Sequence, residues 1–223
     1  MNICMIPVRK GSVRLAKKNY LKIGELTVLE ITLKKALMSM VFDRVVINTD
    51  DPDLEEIANS AGADFYLRPD DLASSEATSD QVVFDFFNNY AGDKVFWVNT
   101  ASPLQTISDI KNFVKVSDDE SWGSGVSYNL SQVHTIYNEK PLNFDWQNGF
   151  ARTQDLKHIK CFNYAMMGWS RKMMNMLSKG QLFNEDTYLV NSSKWSNFLL
   201  KNQEDMALIT SLSKVAPDQG LML

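Results

Sequence analysis

Six cationic side chains fall within fourteen residues near the start of the chain, and no acid lies among them. The six are Arg9, Lys10, Arg14, Lys17, Lys18 and Lys22. Like charges packed together repel, so a cluster of this kind needs either plenty of solvent or an anionic partner. On charge alone two interpretations stay open, a solvated basic loop and a loop that binds an anion.

The residues around the cluster favour the second interpretation. An apolar run at residues 3–8 predicts a buried strand, and ligands in open parallel sheets bind beyond the carboxyl ends of the strands. Gly11 and Ser12 allow a tight loop whose backbone N–H groups can face a phosphate, while Arg9, Arg14 and Lys18 supply counter-charge. The spacing matches neither a Walker A loop nor a dinucleotide fingerprint. The sequence therefore indicates a phosphate-binding loop of another kind.

The elements that must position this loop alternate between strands and helices. Strands are predicted at 3–8, 44–50, 65–67 and 94–100, and helices at 26–40, 53–61, 82–90 and 108–116. Gly62 is expected to end the second helix, Thr78 or Ser79 to cap the third, and Ser108 to begin the fourth. Repeated βα units predict an α/β fold with a doubly wound, mostly parallel sheet covered by helices on both faces.

The second half of the chain loses this rhythm. Residues 121–165 are rich in Asn, Gly, Ser and aromatic residues, with strand-like fragments at 125–128 and 133–137. We expect an excursion from the sheet that often pairs with a second subunit, then a core strand at 161–169 and closing helices at 171–179 and 204–212. One domain over residues 1–223, with a protruding subdomain at about 128–160, is the predicted organisation.

Composition excludes several classes of function. The chain has 223 residues, 44% of them hydrophobic, and a formal net charge of −4, which argues against non-specific nucleic-acid binding. No run of about 18 apolar residues and no secretory signal peptide is seen, so we expect no membrane association. Cys4 and Cys161 are interpreted as buried thiols of a cytoplasmic protein, and two histidines are too few for a zinc site. The basic cluster is therefore expected to bind a small anion.

Five segments, in order along nearly the whole chain, resemble one enzyme family. IPVRKGSVRLAKKN resembles the opening motif of the sugar-acid cytidylyltransferases, which comprise the CMP-N-acylneuraminate (sialic acid) synthetases and their CMP-Kdo relatives. VVINTDDPDLEEIANSAGADFYLRPDDLASSEATS and WVNTASPLQ are similar to the next two blocks of the family, and RTQDLKHIKCFNYAMM and QEDMALI to the last two. The resemblance implies a Rossmann-like fold of the nucleotide-diphospho-sugar transferase type.

The resemblance also implies a reaction. The anomeric hydroxyl of a 2-keto sugar acid, of the sialic, legionaminic, pseudaminic or Kdo type, would attack the α-phosphate of CTP to give a CMP-sugar and pyrophosphate. Catalysis of this kind depends mainly on positioning and on charge stabilisation around the phosphates. Mg²⁺ is the cofactor that the family leads us to expect, and a homodimer is the expected assembly.

Roles for individual residues follow from the matched positions. Those implied to bind the nucleotide are Arg9, Gly11, Ser12, Arg14, Lys18, Asn19, Arg68, Ala77, Ser79 and Asn163. Those implied to lie near the sugar acid are Asn99, Ser102, Arg152 and Gln154, of which Arg152 and Gln154 would reach across from the partner subunit. Catalytic roles fall to Arg9 and Lys18, which would grip the triphosphate, and to Lys201.

The chain departs from the family pattern at three places. Asn99 and Gln105 stand where the family has Gln and Arg, which could retune substrate choice, and Tyr164 stands where it has Gly. Where the family carries the Asp-Ile-Asp that holds Mg²⁺, this chain has Leu199, Leu200 and Lys201. Leucine cannot bind Mg²⁺, which prefers oxygen ligands, so the metal ligands are unknown.

Two functions follow from the third departure and stay open at this point. Lys201 could supply the metal's charge as a fixed cation, in an active cytidylyltransferase. Alternatively, the chain could be a catalytically inactive paralogue that binds nucleotide or sugar acid and has lost the metal-binding aspartates. Recruiting Asp186 or Asp205 as a metal ligand would require a gap in the alignment that nothing in the sequence justifies.

Overall fold

A seven-stranded sheet forms the centre of the protein in a computed structural model, which describes residues 1–11, 15–147 and 150–221. Its first four strands in chain order are parallel. Two short strands of a separate hairpin come between the first and the second of them. In chain order the strands of this half are β1 (Asn2–Val8), β2 (Lys22–Ile23), β3 (Leu26–Thr27), β4 (Arg44–Thr49), β5 (Asp64–Leu67) and β6 (Lys94–Val98).

Four helices connect these strands or follow them. They are α1 (Val28–Ser39), α2 (Glu55–Ala61), α3 (Ser79–Asn89) and α4 (Ile107–Val116). Gly62 ends α2 at φ 75° and Thr78 caps α3, both as the sequence predicts. The cap of α4 differs from the prediction: Thr106, not Ser108, begins the helix, because Thr106 and Asp109 satisfy each other's backbone N–H groups in a capping box.

The second half of the chain adds three strands, β7, β10 and β11, to the other edge of the sheet, together with a separate hairpin and two helices. In chain order its elements are β7 (Ser124–Ser131), β8 (Ile136–Tyr137), β9 (Lys140–Pro141), β10 (Ile159–Ser170), α5 (Met174–Leu177), β11 (Tyr188–Asn191) and α6 (Gln203–Ser213). The sheet order is β11-β7-β10-β6-β1-β4-β5, and β10 is antiparallel to both its neighbours. The doubly wound, mostly parallel α/β sheet is confirmed.

Alternate residues of the strands pack on opposite faces of the sheet. On β1, Cys4 and Ile6 face a core shared with α1, α2 and α4, whereas Ile3 and Met5 face a core shared with α3 and α5. A third cluster joins α1 to α6 through Ile31, Leu200, Ile209 and their neighbours. Helices therefore cover both faces, as a buried parallel sheet requires.

Several local predictions differ from the structure. The helix expected at 171–179 shrinks to a 3₁₀ turn and the single turn of α5, and the strand expected at 133–137 is only the two residues of β8. Cys161 is exposed rather than buried, since it lies on β10 beyond the part covered by helices. The segment 132–158 carries β8 and β9 as a hairpin of its own, and its status as a protruding subdomain stays a prediction. None of the described helices is long and apolar enough to cross a membrane.

Candidate active site

A cleft of about 250 Å³ opens at the carboxyl ends of β1 and β6. These strands are adjacent, but the chain leaves β1 towards β4 on one side and returns to β6 on the other. Such a reversal of strand order leaves a crevice, which is where doubly wound sheets bind ligands. Pro7 and Arg9 line the cleft from β1, Trp97 and Asn99 from β6, and the first turn of α3 closes a third side.

Four cationic side chains line this cleft. They are Arg9, Lys18, Arg68 and Lys201, drawn from four separate parts of the chain. Arg9 is held by a hydrogen bond of 3.1 Å from its Nη1 to the carbonyl oxygen of Ser74. Among the residues described, no carboxylate lines the cleft. The cleft is therefore suited to a polyanion.

Arg68 is the most buried of the four. Its Nη2 donates to the Val8 carbonyl oxygen at 2.9 Å and lies 3.8 Å from Asp50 Oδ1. Burial lowers the pKa of Arg68, the Asp50 carboxylate opposes that shift, and Arg9 adds to it. An arginine nevertheless keeps its charge at neutral pH. Its Nε has no hydrogen-bond partner among the described residues, which leaves one buried donor unused.

The acids that follow β4 support the loop rather than enter the cleft. Asp50 Oδ1 accepts the backbone N–H of Lys10 at 2.9 Å. Asp51 caps the next turn by accepting the N–H of Asp53, and it also pairs with Lys10 Nζ at 3.1 Å and accepts from the Tyr20 hydroxyl. Asp51 thus caps the 3₁₀ turn at Pro52–Leu54. Together these contacts anchor both ends of the basic loop.

Asn19 joins the basic loop to the segment after β6. It lies in a 3₁₀ turn at Lys18–Tyr20, is buried, and its Oδ1 accepts the Thr100 hydroxyl at 2.8 Å. Ala77 and Ser79 line the cleft where α3 begins. The structure thus brings together eight of the predicted site residues, namely Arg9, Lys18, Asn19, Arg68, Ala77, Ser79, Asn99 and Lys201.

Asn99 is held in place by the backbone around it. Its Nδ2 donates to the Tyr164 carbonyl oxygen at 3.2 Å, and its Oδ1 accepts the Ala101 N–H at 2.9 Å. Tyr164 adopts φ 51°, in the left-handed region, which glycine adopts more readily than other residues. The Tyr164 carbonyl thereby orients the Asn99 amide at the edge of the cleft.

Four other predicted residues lie outside the lining of the cleft. Ser102 is buried and donates to the Ser196 carbonyl oxygen at 2.9 Å. Asn163 is also buried, and its amide accepts from Ser127 and donates to Ser192 and Asn129. Arg152 pairs with Asp155 at 2.7 Å on the excursion, beside Gln154. Their predicted contacts with ligand stay predictions.

The remaining predicted positions fall on the loop after β1 or next to the cleft. Gly11 is exposed and outside the lining, while Ser12 and Arg14 lie outside the described residues. Gln105 is buried, and its carbonyl oxygen accepts from Lys35 Nζ at 2.8 Å. Gln105, where the sequence departs from the family pattern, thus lies outside the lining of the cleft.

Residues that the motifs did not indicate also line the cleft, Trp97 and Val82 among them. Trp97 is half-buried, and its indole Nε1 has no hydrogen-bond partner among the described residues. One signal for Trp97 is present in the sequence, because it stands two residues before Asn99 and a strand returns to the same face every second residue.

The described residues do not fit a magnesium ion held by the protein. No group of three or more His, Cys, Asp or Glu side chains among them could hold a metal. The Asp205 carboxylate caps α6, accepting the N–H of Lys201 at 2.8 Å and of Asn202 at 3.0 Å, and Asp186 lies exposed in the turn before β11. The segment Leu199 to Lys201 offers no oxygen ligand on its side chains.

Comparison with known proteins identifies the family of the chain that forms this cleft. The family model described as cytidylyltransferase matches residues 3–189, which include β1, the basic loop and β6. The chain belongs to the cytidylyltransferase family. The resemblance drawn from the opening motif and the later blocks is thus confirmed.

Named relatives of this cytidylyltransferase chain act on different sugar acids. It is 32% identical over 172 residues to the pseudaminic acid cytidylyltransferase of Campylobacter jejuni (strain 81-176), covering 70% of this chain and 72% of the relative. It is 25% identical over 213 residues to the N-acylneuraminate cytidylyltransferase of Streptococcus agalactiae (strain NEM316), covering 91% of this chain and 51% of the relative. The chain thus spans about half the length of that relative.

One solved structure has the same fold along nearly the whole chain. It is a CMP:2-keto-3-deoxy-manno-octonic acid synthetase complexed with CTP, with a TM-score of 0.69, 15% identity, and coverage of 95% of this chain and 97% of that one. At that identity the likeness concerns the fold alone.

Proposed function

We propose that the protein transfers CMP from CTP to the anomeric hydroxyl of a 2-keto sugar acid and releases pyrophosphate. The observation that carries the proposal is a cleft lined by four cations at the carboxyl ends of β1 and β6, in a chain of the cytidylyltransferase family. The sugar hydroxyl oxygen forms a bond to the α-phosphorus, the bond from that phosphorus to the bridging oxygen breaks, and the hydroxyl proton passes to solvent.

In this proposal the two ends of the nucleotide are bound by different walls. Arg9 and Lys18, with Gly11, Ser12 and Arg14 of the same loop, hold the phosphates, because fixed cations stabilise the charge that grows on the leaving pyrophosphate. Arg68, Ala77 and Ser79 take the cytosine and ribose. Asn19 holds the basic loop next to the segment after β6, because its Oδ1 accepts the Thr100 hydroxyl at 2.8 Å. Asn163 supports the strand irregularity beside the cleft.

The sugar acid lies on the side of Asn99 in this proposal, with Ser102 behind it. Arg152 and Gln154 approach from a second copy of the chain. An arginine suits a carboxylate because its planar fork can hold two oxygens. We propose a cytoplasmic enzyme, since the exposed thiol of Cys161 persists best in a reducing compartment.

Pyrophosphate release tests this function. Each of the four nucleoside triphosphates is assayed against N-acetylneuraminic, legionaminic, pseudaminic and Kdo acids. We expect release with CTP and one of the acids. Lys18→Gln should lower turnover by about a hundredfold, as loss of one preorganised charge contact does. The matched control is Lys22→Gln, from the same basic cluster, which is exposed on β2 and outside the lining of the cleft; it should stay within about threefold of the wild type. CTP binding without release for any acid would contradict the proposal.

We also propose a homodimer formed through the excursion at 132–158. Exposed apolar side chains support it, including Ile136, Tyr137, Trp146 and Phe150. Large exposed apolar surfaces mark sites of association. Light scattering should give twice the mass of the chain, and Trp146→Asp should give a monomer. A monomeric wild type at micromolar concentration would overturn this assembly.

A further inference from the structure

The charged side chains that line the cleft all have the same sign among the described residues. Four cations line it, and no acid is found among its described lining residues. Asp50 approaches this wall, but it already accepts from Lys10 and faces Arg68. The side chains that line the cleft thus provide counter-charge for phosphate, and those that the structure describes include no carboxylate ligand for a metal.

Lys201 is the cation of this set that no acid or carbonyl engages. Lys201 is exposed and lines the cleft, and its ammonium has no hydrogen-bond or ion-pair partner in the part of the chain that the structure describes. Arg9 and Arg68, by contrast, are tied to the backbone of Ser74 and Val8. An amine that makes no contact of its own can give its full hydrogen-bonding capacity to a ligand.

The backbone that carries Lys201 is firmly held even though its ammonium is not. Leu200 is buried at 1% exposure, and its N–H donates to the Ala101 carbonyl oxygen at 2.7 Å. The Lys201 N–H donates to Asp205 at 2.8 Å, at the start of α6. The backbone of Lys201 is therefore fixed both to the segment after β6 and to the start of α6. Fixed charges of this kind need little reorganisation when a ligand arrives.

We propose that Lys201 takes the place of a protein-bound divalent cation and neutralises the outer phosphates of CTP. The inference rests on the proposed function and deepens it. CTP then binds without Mg²⁺, and the Lys201 ammonium distinguishes CTP from CMP, because the β- and γ-phosphates carry the additional charge.

Titration calorimetry of CTP and CMP, with Mg²⁺ or with EDTA, tests the inference. We expect the wild type to bind CTP in EDTA within about threefold of its affinity in Mg²⁺. Lys201→Met should weaken CTP binding by about tenfold to a hundredfold, the range for a lost hydrogen bond to a charged group, and CMP binding by less than about twofold. Lys201→Asp should abolish CTP binding in EDTA and regain it with Mg²⁺, because it supplies an oxygen ligand.

The matched control is Lys214→Met, which removes an exposed lysine just after α6. It should leave both affinities unchanged. CTP binding that requires Mg²⁺ and ignores Lys201→Met would overturn the inference while leaving the proposed function standing. Equal losses for CTP and CMP would overturn it as well, since Lys201 would then contact the nucleoside side. Failure to bind CTP under either condition would overturn the proposed function and the inference with it.

Discussion

The indole N–H groups of Trp97 and Trp169 have opposite environments. Trp97 Nε1 has no partner among the described residues, although the ring is half-buried in the wall of the cleft. Trp169 Nε1 donates to the Leu182 carbonyl oxygen at 2.7 Å. A buried donor without a partner costs about 1–3 kcal/mol. Trp97 therefore carries a cost in the empty protein that a bound ligand with an acceptor would remove.

Replacing each indole with a benzene ring separates these two cases. Trp97→Phe should leave the free energy of unfolding unchanged or raise it by up to about 1 kcal/mol, because the unpaired donor disappears. It should also weaken binding of the ligand that accepts the N–H. Trp169→Phe should lower stability by about 2 kcal/mol, because it opens a cavity and leaves the Leu182 carbonyl unpaired.

Urea unfolding of both variants measures the difference. A loss of stability in Trp97→Phe as large as that in Trp169→Phe would show that Trp97 is only a packing residue. Ligand affinity is measured on the same preparations, so that a folding defect is not taken for a binding defect.

At the scale of single residues, motifs predicted the side chains with distinctive chemistry. Arg9 and Lys18 were found because cations that follow a strand indicate an anion site, whereas Arg68 was found only through the resemblance to the family. Trp97 was not, because a tryptophan within an apolar strand is typical of a core position. Whether its N–H has a partner depends on residues distant in the sequence.

Asp109 is the carboxylate that fastens the elements around the cleft. It lies in the first turn of α4 and accepts the N–H and hydroxyl of Ser193, at 2.8 and 2.7 Å, and the Ser196 hydroxyl at 2.9 Å. Burial raises the pKa of Asp109, but the hydrogen bonds from Ser193 and Thr106 outweigh it and hold the pKa below its usual range. The carboxylate thus ties α4 to the 3₁₀ turn at Lys194–Asn197 that precedes Lys201.

We expect Asp109→Asn to lower the free energy of unfolding by about 2 kcal/mol at pH 7, because donors to a charged acceptor lose their partner. The folded-state pKa is depressed, so this stabilisation is complete above the unfolded value of about 3.9 and is lost as pH falls through the folded value. Urea unfolding at pH 7 and near pH 3 should therefore show the wild type and the variant converging in acid.

Asp118→Asn, at an exposed position just after α4, is the control and should change stability by less than about 0.5 kcal/mol. A gap between wild type and Asp109→Asn that stays constant down to pH 3 would mean that the carboxylate's charge is not what stabilises this connection.

Hydrophobic periodicity in the sequence predicted the longer helices, but their first residues depend on hydrogen bonds that the periodicity does not show. α4 shows this most clearly, since Ser108 and Thr106 are both acceptable caps from composition and the reciprocal bond with Asp109 selects Thr106. Similarly, α5 is short because its residues pack as a single turn against α3, although their sequence would allow a longer helix.

A buried lysine connects the two halves of the molecule. Lys35 Nζ, on α1, donates to the carbonyl oxygens of Pro103 and Gln105 at 2.9 and 2.8 Å, and lies 3.9 Å from Asp218. Burial lowers the pKa of Lys35 to about 8, while Asp218 and Asp109 oppose that shift. The Lys35 ammonium thus links α1 to the loop after β6 and to the end of the described chain.

This lysine should make stability depend on pH in alkaline solution. Because its folded pKa, about 8, lies below the unfolded value of 10.5, the unfolded state binds more protons between those values, and the stability contributed by Lys35 rises with pH there. The wild type should therefore gain on the order of 1–2 kcal/mol relative to Lys35→Met between pH 7.5 and 9.5, at up to about 1.4 kcal/mol per pH unit.

Urea unfolding across that range provides the measurement, with Lys34→Met, an exposed neighbour on α1, as the control. If the free energies of unfolding of the wild type and of Lys35→Met changed with pH in the same way, the pKa of Lys35 would not be lowered in the folded protein, and the prediction would be wrong.

At the scale of the whole molecule, the βα rhythm predicted the parallel half of the sheet, because each unit is built from neighbouring residues. The order of the remaining strands was not predictable in that way. β10 inserts between β6 and β7, and β11 pairs with β7 over a separation of about 60 residues, so both positions depend on contacts that no local pattern records.

The four cations of the cleft also bear on how the proposed reaction would end. Because like charges repel one another, any oligoanion that binds among them should raise the melting temperature. Pyrophosphate keeps most of the negative charge of CTP when it departs, and the side chains that drew the nucleotide in will hold it as well. We expect turnover to be limited by the escape of pyrophosphate, to slow as this product accumulates, and to recover when a pyrophosphatase removes it.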